Sequence, residues 1–269
     1  MEILGFALAA IVGLSLGLIG SGGSILTVPI LVYVLGINPV LATAYSLFIV
    51  GSTSLVGGVQ SSREKHVDFK TVLIFGIPSV AAVYTTRMWL LPRIPQEIFS
   101  IGSFEITKPI ALMLLFAVVM IFASLSMIRP AKLGEQGESM QLHYNYPLIL
   151  IEGLVVGLLT GLVGAGGGFL IIPALVLMAK MPMKMSVGTS LFIIAIKSLI
   201  GFIGDVQGDQ VIDWKLLIGF TAFAIAGVIA GIILSKKIPG EKLKKAFGWF
   251  VLVMGIYIII KELFLNGGH

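Results

Sequence analysis

Long apolar runs alternate with short polar breaks along almost the whole chain of 269 residues. Five apolar segments lie in the first half and five in the second. Their approximate bounds are 3–19, 25–36, 40–59, 71–92 and 109–128, then 148–163, 169–179, 186–204, 214–235 and 246–265. A helix that crosses the hydrocarbon core of a bilayer needs about 20 residues. The third, fourth and fifth segments of each half meet this length, whereas the first two are shorter.

The sequence of the segments repeats as well as their order. Residues 13–32 (GLSLGLIGSGGSILTVPILV) and 157–176 (GLLTGLVGAGGGFLIIPALV) are identical at eleven of twenty positions, at a constant offset of 144. The tetrapeptide SLFI occurs at 46–49 and again at 190–193. We therefore predict two homologous repeats, residues 1–129 and 147–269, joined by a polar cytoplasmic linker at 130–146. The first repeat carries about ten extra residues, 96–105, before its last helix.

Each repeat opens with an apolar run, a glycine cluster and a second apolar run that contains a proline. Such interrupted segments at matching positions in two halves are the best sequence indication of a transporter's binding site. We name residues 20–24 the first glycine loop and residues 164–168 the second glycine loop. Their glycines are too dense for a stable helix, since each costs about 1 kcal/mol relative to alanine. These glycines are Gly20, Gly22, Gly23, Gly164, Gly166, Gly167 and Gly168.

We predict that both loops bind a ligand, because glycine lets a ligand approach the backbone closely. The alternative is that the clustered glycines only permit close packing of helices. That alternative explains the sparser glycines that precede each loop, Gly13 and Gly17 with their counterparts Gly157 and Gly161, because small residues four apart let two helix backbones approach.

Composition restricts the class of protein. Hydrophobic residues make up 57% of the chain, charged residues only 12%, and the mean hydropathy is +1.07. Soluble domains carry about 25% charged residues, so the sequence predicts an all-α integral membrane protein. Cysteine is absent and the three histidines are scattered, so we expect neither metal nor cofactor. The net charge of +5 fits cytoplasmic loops rather than nucleic-acid binding, and no pair of catalytic groups indicates an enzyme.

The distribution of positive charge tests the orientation of the two repeats. If the first two segments of each repeat form a helical hairpin, twelve Lys and Arg residues fall on one side of the membrane and five, including Arg87, on the other. If they form one broken helix, the division is ten against seven. The positive-inside rule favours the sharper division. We therefore predict inverted five-segment repeats, each with a short glycine-interrupted hairpin and three spanning helices, and both termini outside.

Inverted hairpins would bring the two glycine loops together near the bilayer midplane. Non-helical backbone persists at that depth only where it is buried in protein or lines a wet cavity. The helix after each loop, beginning at Ser24 and at Gly168, would point its unpaired N–H groups at the same place. Each helix N-terminus carries roughly half a positive charge. The loops are therefore predicted to form an anion site.

The third helix of each repeat adds polar groups to this prediction. Ser46 and Thr53 lie seven residues apart on one helical face, and Ser190 and Lys197 repeat that spacing. Hydroxyls and an ammonium group suit an oxyanion that leaves water, and a charge within a span is by default a functional candidate. The alternatives are that the hydroxyls bond to their own helix backbone and that Lys197 extends its stem to the membrane boundary.

Four further residues have predicted structural roles. Pro29 and Pro173 mark either a kink or the first turn of a helix, and the sequence does not decide between them. Asp68 and Asp213 precede helices at the membrane boundary, where helix N-capping explains them.

The duplicated motif resembles the sulfite exporter TauE/SafE family. The resemblance is carried by GSGGSILTVPIL and GAGGGFLIIPAL, by Tyr45-Ser46-Leu47 and Thr189-Ser190-Leu191, and by the later Asp-aromatic-Lys. It extends over essentially the whole chain. Ser24 and Tyr45 depart from the second copy, which has Gly168 and Thr189 there. The resemblance implies passage of sulfite, thiosulfate or organosulfonates across a membrane.

From these observations we expect a multi-pass protein of the cell (inner or plasma) membrane that moves small sulfur-containing anions. Export needs no coupling ion, because an inside-negative potential drives an anion outward by about 2.3 kcal/mol per 100 mV. The alternatives are an anion channel with the same loops as its filter and a membrane partner in sulfur-carrier transfer. The particular anion, the direction of transport, the coupling and the oligomeric state stay open.

Overall fold

A computed structural model of the chain describes residues 2–101, 104–128, 146–177, 181–208, 211–235 and 240–265. The predicted linker lies outside this part, apart from Tyr146, at which a helix begins. The first half contains α1 (Glu2–Ile19), a 3-10 helix (Gly20–Leu26), α2 (Thr27–Tyr33), α3 (Pro39–Arg63), α4 (Phe69–Thr85), a π-helical turn (Thr86–Leu90), α5 (Leu91–Arg93), β1 (Glu97–Ile101), β2 (Phe104–Thr107) and α6 (Lys108–Ile128). The second half contains α7 (Tyr146–Val163), α8 (Gly168–Leu177), α9 (Met183–Val206), α10 (Trp214–Ser235), α11 (Gly240–Ile260) and a final π-helical turn (Lys261–Leu265).

Six of the described helical stretches are long and apolar enough to cross a membrane. They are Pro39–Arg63, Phe69–Arg93, Lys108–Ile128, Met183–Val206, Trp214–Ser235 and Lys245–Phe264. Large apolar side chains such as Ile77, Phe122 and Val253 are exposed on their outer surfaces, which suits contact with lipid. The prediction of an all-α membrane protein with three spanning helices in each half is confirmed.

A short β-hairpin interrupts the helical pattern in the first half. Strands β1 and β2 pair antiparallel, with Glu97 opposite Thr107 and Ile101 opposite Phe104. They cover most of the extra residues 96–105 of the first repeat, for which no secondary structure was predicted from the sequence. The sequence EIFSIGSFEIT alternates apolar and polar residues about a Gly-Ser pair, a pattern typical of a hairpin.

The third helices of the two halves, α3 and α9, pack against each other in opposite directions. Gly51 lies against Leu199, whereas Gly58, further along α3, lies against Phe192, which comes earlier in α9. The contact is also reciprocal: Gly57 meets Leu191, and their counterparts at the offset of 144, Gly201 and Leu47, meet as well. Two equivalent helices therefore pack antiparallel across an interface that repeats itself.

The last helices, α6 and α11, also run antiparallel. Gly248 of α11 faces Met127 near the end of α6, whereas Gly255 faces Ala117, ten residues earlier in that helix. The pairs α3 with α9 and α6 with α11 thus have the same relative direction.

The first helix of each half packs against the fourth helix of the other half. A Cβ at Gly13 would overlap backbone atoms of Ala224 in α10, and α7 approaches α4 in the same way, with Gly157 against Ser79. These contacts agree with the packing role that the spacing of the small residues predicts. The two halves are consequently interleaved rather than side by side.

Each glycine loop turns the chain back along the helix before it. A Cβ at Gly23 would overlap the backbone of Leu16, and one at Gly5 would lie 2.6 Å from Leu35 Cδ2. In the second half, a Cβ at Gly167 would lie 3.2 Å from Val156 Cγ1. In each half the loop therefore lies back against the helix before it, and in the first half the residues just after α2 lie beside the start of α1.

Hydrogen bonds at the starts of α4 and α10 also cross between the halves. Asp68 accepts from the backbone N–H groups of the first turn of α4 at 3.3 Å, and Asp213 accepts from Leu216 N at 3.1 Å. The backbone N–H of Asp68 donates to Thr189 Oγ1 at 2.9 Å, and that of Asp213 donates to Tyr45 Oη at 2.6 Å. Tyr45 and Thr189, which occupy the same motif position but differ between the copies, thus make the same contact.

The two prolines occupy different positions in their helices. Pro29 lies in the first turn of α2, where a missing N–H removes no intrahelical hydrogen bond. Pro173 lies inside α8, which begins five residues earlier at Gly168. Its ring therefore removes one hydrogen bond of that helix.

Candidate functional site

The two glycine loops touch each other in the interior of the protein. Ser24 Oγ donates a hydrogen bond to the carbonyl oxygen of Ala165 at 2.7 Å, across 141 residues of sequence. A Cβ at Gly166 would lie 3.4 Å from the same hydroxyl. Ser24 is fully buried, and Ala165 is 1% exposed. The loops of the two halves therefore form one buried centre.

The backbone of the second loop explains its glycines. Gly164, Gly166 and Gly167 have φ angles of +74°, +68° and +67°, a region that residues with a Cβ rarely adopt. In the first loop Gly20 has a φ of +77°. Gly22 lies within the 3-10 helix, and Gly23 is required by its contact with α1 rather than by its own conformation.

The helices that follow the loops begin at different points. α8 begins at Gly168, as expected, so its first N–H groups face the second loop. In the first half, the 3-10 helix covers residues 20–26, and α2 begins only at Thr27. The expected α-helical start at Ser24 is therefore replaced by a tighter turn. α2 is also shorter, at 7 residues against 10.

Lys197 lies deep in the protein, beside the second loop. Its side chain is fully buried, and Nζ donates to Thr160 Oγ1 at 2.9 Å. A Cβ at Gly167 would lie 2.9 Å from Nζ and 2.5 Å from Thr160 Oγ1. The ammonium group thus does not extend to the membrane boundary; it contacts the backbone of the loop.

The three hydroxyls of the third helices that were predicted to contact the anion have different partners. Ser46 Oγ donates to Gly164 O of the second loop at 2.8 Å. Thr53 Oγ1 donates to Ile49 O within its own helix at 2.7 Å, and Ser190 Oγ donates to Val187 O at 2.8 Å. Ser46 therefore joins the buried centre, whereas Thr53 and Ser190 make the backbone contacts that were the alternative interpretation.

Comparison with known proteins assigns this architecture to a family. The family model described as sulfite exporter TauE/SafE matches residues 5–258. The chain belongs to this family. A probable membrane transporter protein of Xylella fastidiosa (strain 9a5c) is 30% identical over 256 residues, which cover 93% of this chain and 91% of the relative. The probable membrane transporter protein YunE of Bacillus subtilis is 26% identical over 97% of this chain and 100% of its own length.

No solved structure matches the chain significantly. The family and the names of its relatives identify this TauE/SafE protein as a membrane transporter rather than an enzyme.

A buried ion pair beside the second loop of this TauE/SafE protein was not predicted. Arg87 Nη1 lies 3.3 Å from Asp205 Oδ1 and 3.1 Å from Thr43 Oγ1. Thr43 in turn packs on the second loop, because a Cβ at Gly164 would lie 2.7 Å from its Cα. From the sequence, Arg87 was counted among the five positive charges on the less basic side of the membrane. Its position inside the apolar segment 71–92 was the signal that should have indicated a buried charge.

Two equivalent serines were also missed. Ser54 and Ser198, which the offset of 144 relates, are both fully buried on the packed helices α3 and α9. Neither hydroxyl has a hydrogen-bond partner among the residues that the structure describes. Their recurrence in both halves was visible in the sequence, whereas their burial was not.

Proposed function

We propose that this TauE/SafE transporter is a secondary transporter that exports small sulfur-containing anions, such as sulfite, thiosulfate or organosulfonates. In this proposal the anion binds where the two glycine loops meet, and access alternates between the two sides of the membrane. The observation that supports it most directly is the contact between Ser24 and Ala165 with the Lys197 ammonium beside the same loop.

The charge of the centre favours an anion. Lys197 forms no ion pair with a carboxylate in the described part of the chain, and its ammonium group donates to the Thr160 hydroxyl instead. An ammonium group buried without a counter-ion is costly. A bound anion would supply the missing charge, and the first two N–H groups of α8 would donate to its oxygens, since those of Leu170 and Ile171 donate to Gly167 O. The family's name, sulfite exporter, supports a sulfur oxyanion.

Alternating access would follow from inverted repeats, residues 1–129 and 147–269. The antiparallel packing of α3 on α9 and of α6 on α11 supports inversion, since each pair consists of equivalent helices. In transporters with such repeats, the substrate site lies at the interface between repeats, and one unit rocks against the other around it. Because the loops come from different halves, rocking would change which side of the centre is open.

A flux assay on the purified full chain in proteoliposomes tests the proposal. Labelled sulfite, thiosulfate, sulfoacetate and sulfate are compared with and without an inside-negative potential. We expect saturable outward flux of at least one sulfur anion, accelerated by the potential, and exchange when unlabelled anion is present on the opposite side. Flux that rises linearly without saturation would favour the channel, and no flux of any of the four anions would contradict the proposal. Lys197→Met is the matched variant and should reduce the flux.

A further inference from the structure

The guanidinium group of Arg87 is buried with two of its three nitrogens unpartnered. Its side chain is 0% exposed, and Nη1 carries both of its contacts, to Asp205 and to Thr43. Nε and Nη2 have no hydrogen-bond partner in the part of the chain that the structure describes, and neither has Asp205 Oδ2. Buried donors are nearly always hydrogen-bonded in proteins. This edge of the guanidinium therefore needs a specific explanation.

The two unpartnered nitrogens have a definite chemistry. Nε and Nη2 lie on one edge of the planar guanidinium and point their N–H groups in the same direction. That fork matches two oxygens of one oxyanion, which is why arginine is favoured wherever a carboxylate or phosphate is held by two parallel bonds. Sulfite, sulfate and sulfonates present the same pair of oxygens, whereas thiocyanate and chloride do not.

The position of Arg87 relates it to the proposed transport path. Thr43 links it to the second glycine loop, since it accepts from Nη1 and packs on Gly164. Asp205 is one residue from the end of α9, and Lys197 is eight residues earlier, or about 12 Å along the helix. The two buried cations thus lie at different depths, with the second loop beside both of them.

The fold itself does not require this ion pair. The two halves align Asp205 with Ser61 at the offset of 144, and Arg87 with Ile232 at the offset of 145 that Asp68 and Asp213 set for the fourth helices. Ile232 packs against the apolar cluster of Leu16, Leu191 and Val228, so the equivalent position of the other half carries no charge. Buried ion pairs are weak contributors to stability because of the desolvation penalty. A role in binding accounts for the charges that only one half carries.

We propose that Arg87 forms a second oxyanion subsite, in which Nε and Nη2 bind two oxygens of the transported anion while Nη1 stays on Asp205. The subsite lies between the second glycine loop and the membrane face at the end of α9. Asp205 acts as a counter-ion that competes with the anion for the guanidinium. This inference rests on the proposed function, because it assigns the anion's oxygens to a second group on the same path.

Two variants with opposite expected effects test the subsite. Binding of sulfite and sulfoacetate to the purified full chain is measured by calorimetry. Arg87→Lys keeps the charge and loses the fork, so both anions should bind at least about tenfold more weakly, while thiocyanate binding changes little. Asp205→Asn removes the competing carboxylate, so both anions should bind several-fold more tightly.

A purely structural ion pair would behave differently. Both variants would then lower the melting temperature, and neither would shift affinity in a direction that depends on which partner was changed. Unchanged affinity in a folded Arg87→Lys variant, or weaker binding in Asp205→Asn, overturns the subsite. If Arg87→Lys fails to fold, Asp205→Asn alone decides, since unchanged or weaker binding there also contradicts the proposal.

The same measurements separate this inference from the proposed function. Saturable flux that Lys197→Met reduces, together with no effect of Arg87→Lys on affinity, removes only the subsite. Binding that responds to both variants without any flux in proteoliposomes removes the transport proposal and keeps the subsite. A wild-type chain that neither binds nor moves any of these anions overturns both.

Discussion

The two glycine loops have similar sequences and different structures. The first loop is a 3-10 helix followed by a 7-residue helix. The second has three glycines with positive φ and opens directly into a 10-residue helix. The charges differ as well, because Lys197 in the second half corresponds to Thr53 in the first. The charged groups thus gather around one of two related loops.

The two copies of the repeated motif differ in what holds the loop in place and in which polar groups the loop contacts. The first loop is held by packing, since Gly23 lies on the backbone of Leu16, and it contributes one hydroxyl, that of Ser24, to the second loop. The second loop is held by its own backbone conformation and lies against an ammonium group. We infer that the first loop chiefly supports the centre and that the second chiefly binds the anion.

The largest expected effect comes from Gly23→Val. A Cβ at this position would overlap backbone atoms of Leu16 and Ser15, which can move only if α1 moves. We expect the free energy of unfolding to fall by roughly 3 kcal/mol, measured as a loss of folded protein in detergent. Gly76→Val in α4 is the control, since a Cβ there would meet nothing within 4 Å. Normal yield of Gly23→Val would contradict the packing role of the first loop.

The next effect concerns the second loop. Lys197→Met removes the ammonium group and keeps most of the buried stem, so the fold should persist while the anion loses a charged partner. Such a contact contributes about 1.5–3 kcal/mol, which corresponds to a roughly 10- to 100-fold rise in KM for sulfite flux. Lys215→Met removes an exposed lysine at the start of α10 and should leave KM within about twofold. Equal effects of the two variants on KM would contradict a role of Lys197 in binding the anion.

Ser46→Ala tests the bond between the third helix and the second loop. Removing its hydroxyl leaves the buried carbonyl of Gly164 without this donor, at a cost of about 1.5 kcal/mol. Ser124→Ala is the matched control, because that buried hydroxyl donates to Ile121 O in its own helix. Thermal unfolding in detergent should show a clear loss for Ser46→Ala and a loss below about 0.5 kcal/mol for the control. Similar losses of stability in the two variants would mean that the hydrogen bond from Ser46 to the second loop contributes no more than one within a helix.

The smallest effects should be equal in the two halves. Tyr45→Phe and Thr189→Val each remove the hydroxyl that accepts the backbone N–H of an Asp in the other half. We expect each to cost about 1 kcal/mol, and the double variant to cost the sum, because the two contacts share no residue. A several-fold difference in stability cost between the single variants would show that these contacts between the halves are as asymmetric as the two loops.

Much of the architecture followed from local properties of the chain. The length of an apolar run decides whether a helix can cross a bilayer, and the identity of residues 13–32 with 157–176 reveals a duplication without any structure. Predicting the contents of the site was harder. Ser46 and Thr53 share a helical face in the sequence, yet the first bonds to the second loop and the second to its own helix. Arg87 was counted with the charges on one side of the membrane, although it lies buried in a spanning helical stretch.

From its sequence alone, the chain is an all-α membrane transporter of the TauE/SafE type with two related halves and two glycine loops. The folded structure was needed to bring the loops together and to select which polar groups join them. The physical reason is the distance along the chain between partners: Ser24 and Ser46 reach carbonyl groups 141 and 118 residues away. Such contacts depend on how helices of different halves pack against each other, and no local pattern of hydrophobic and polar residues encodes that packing.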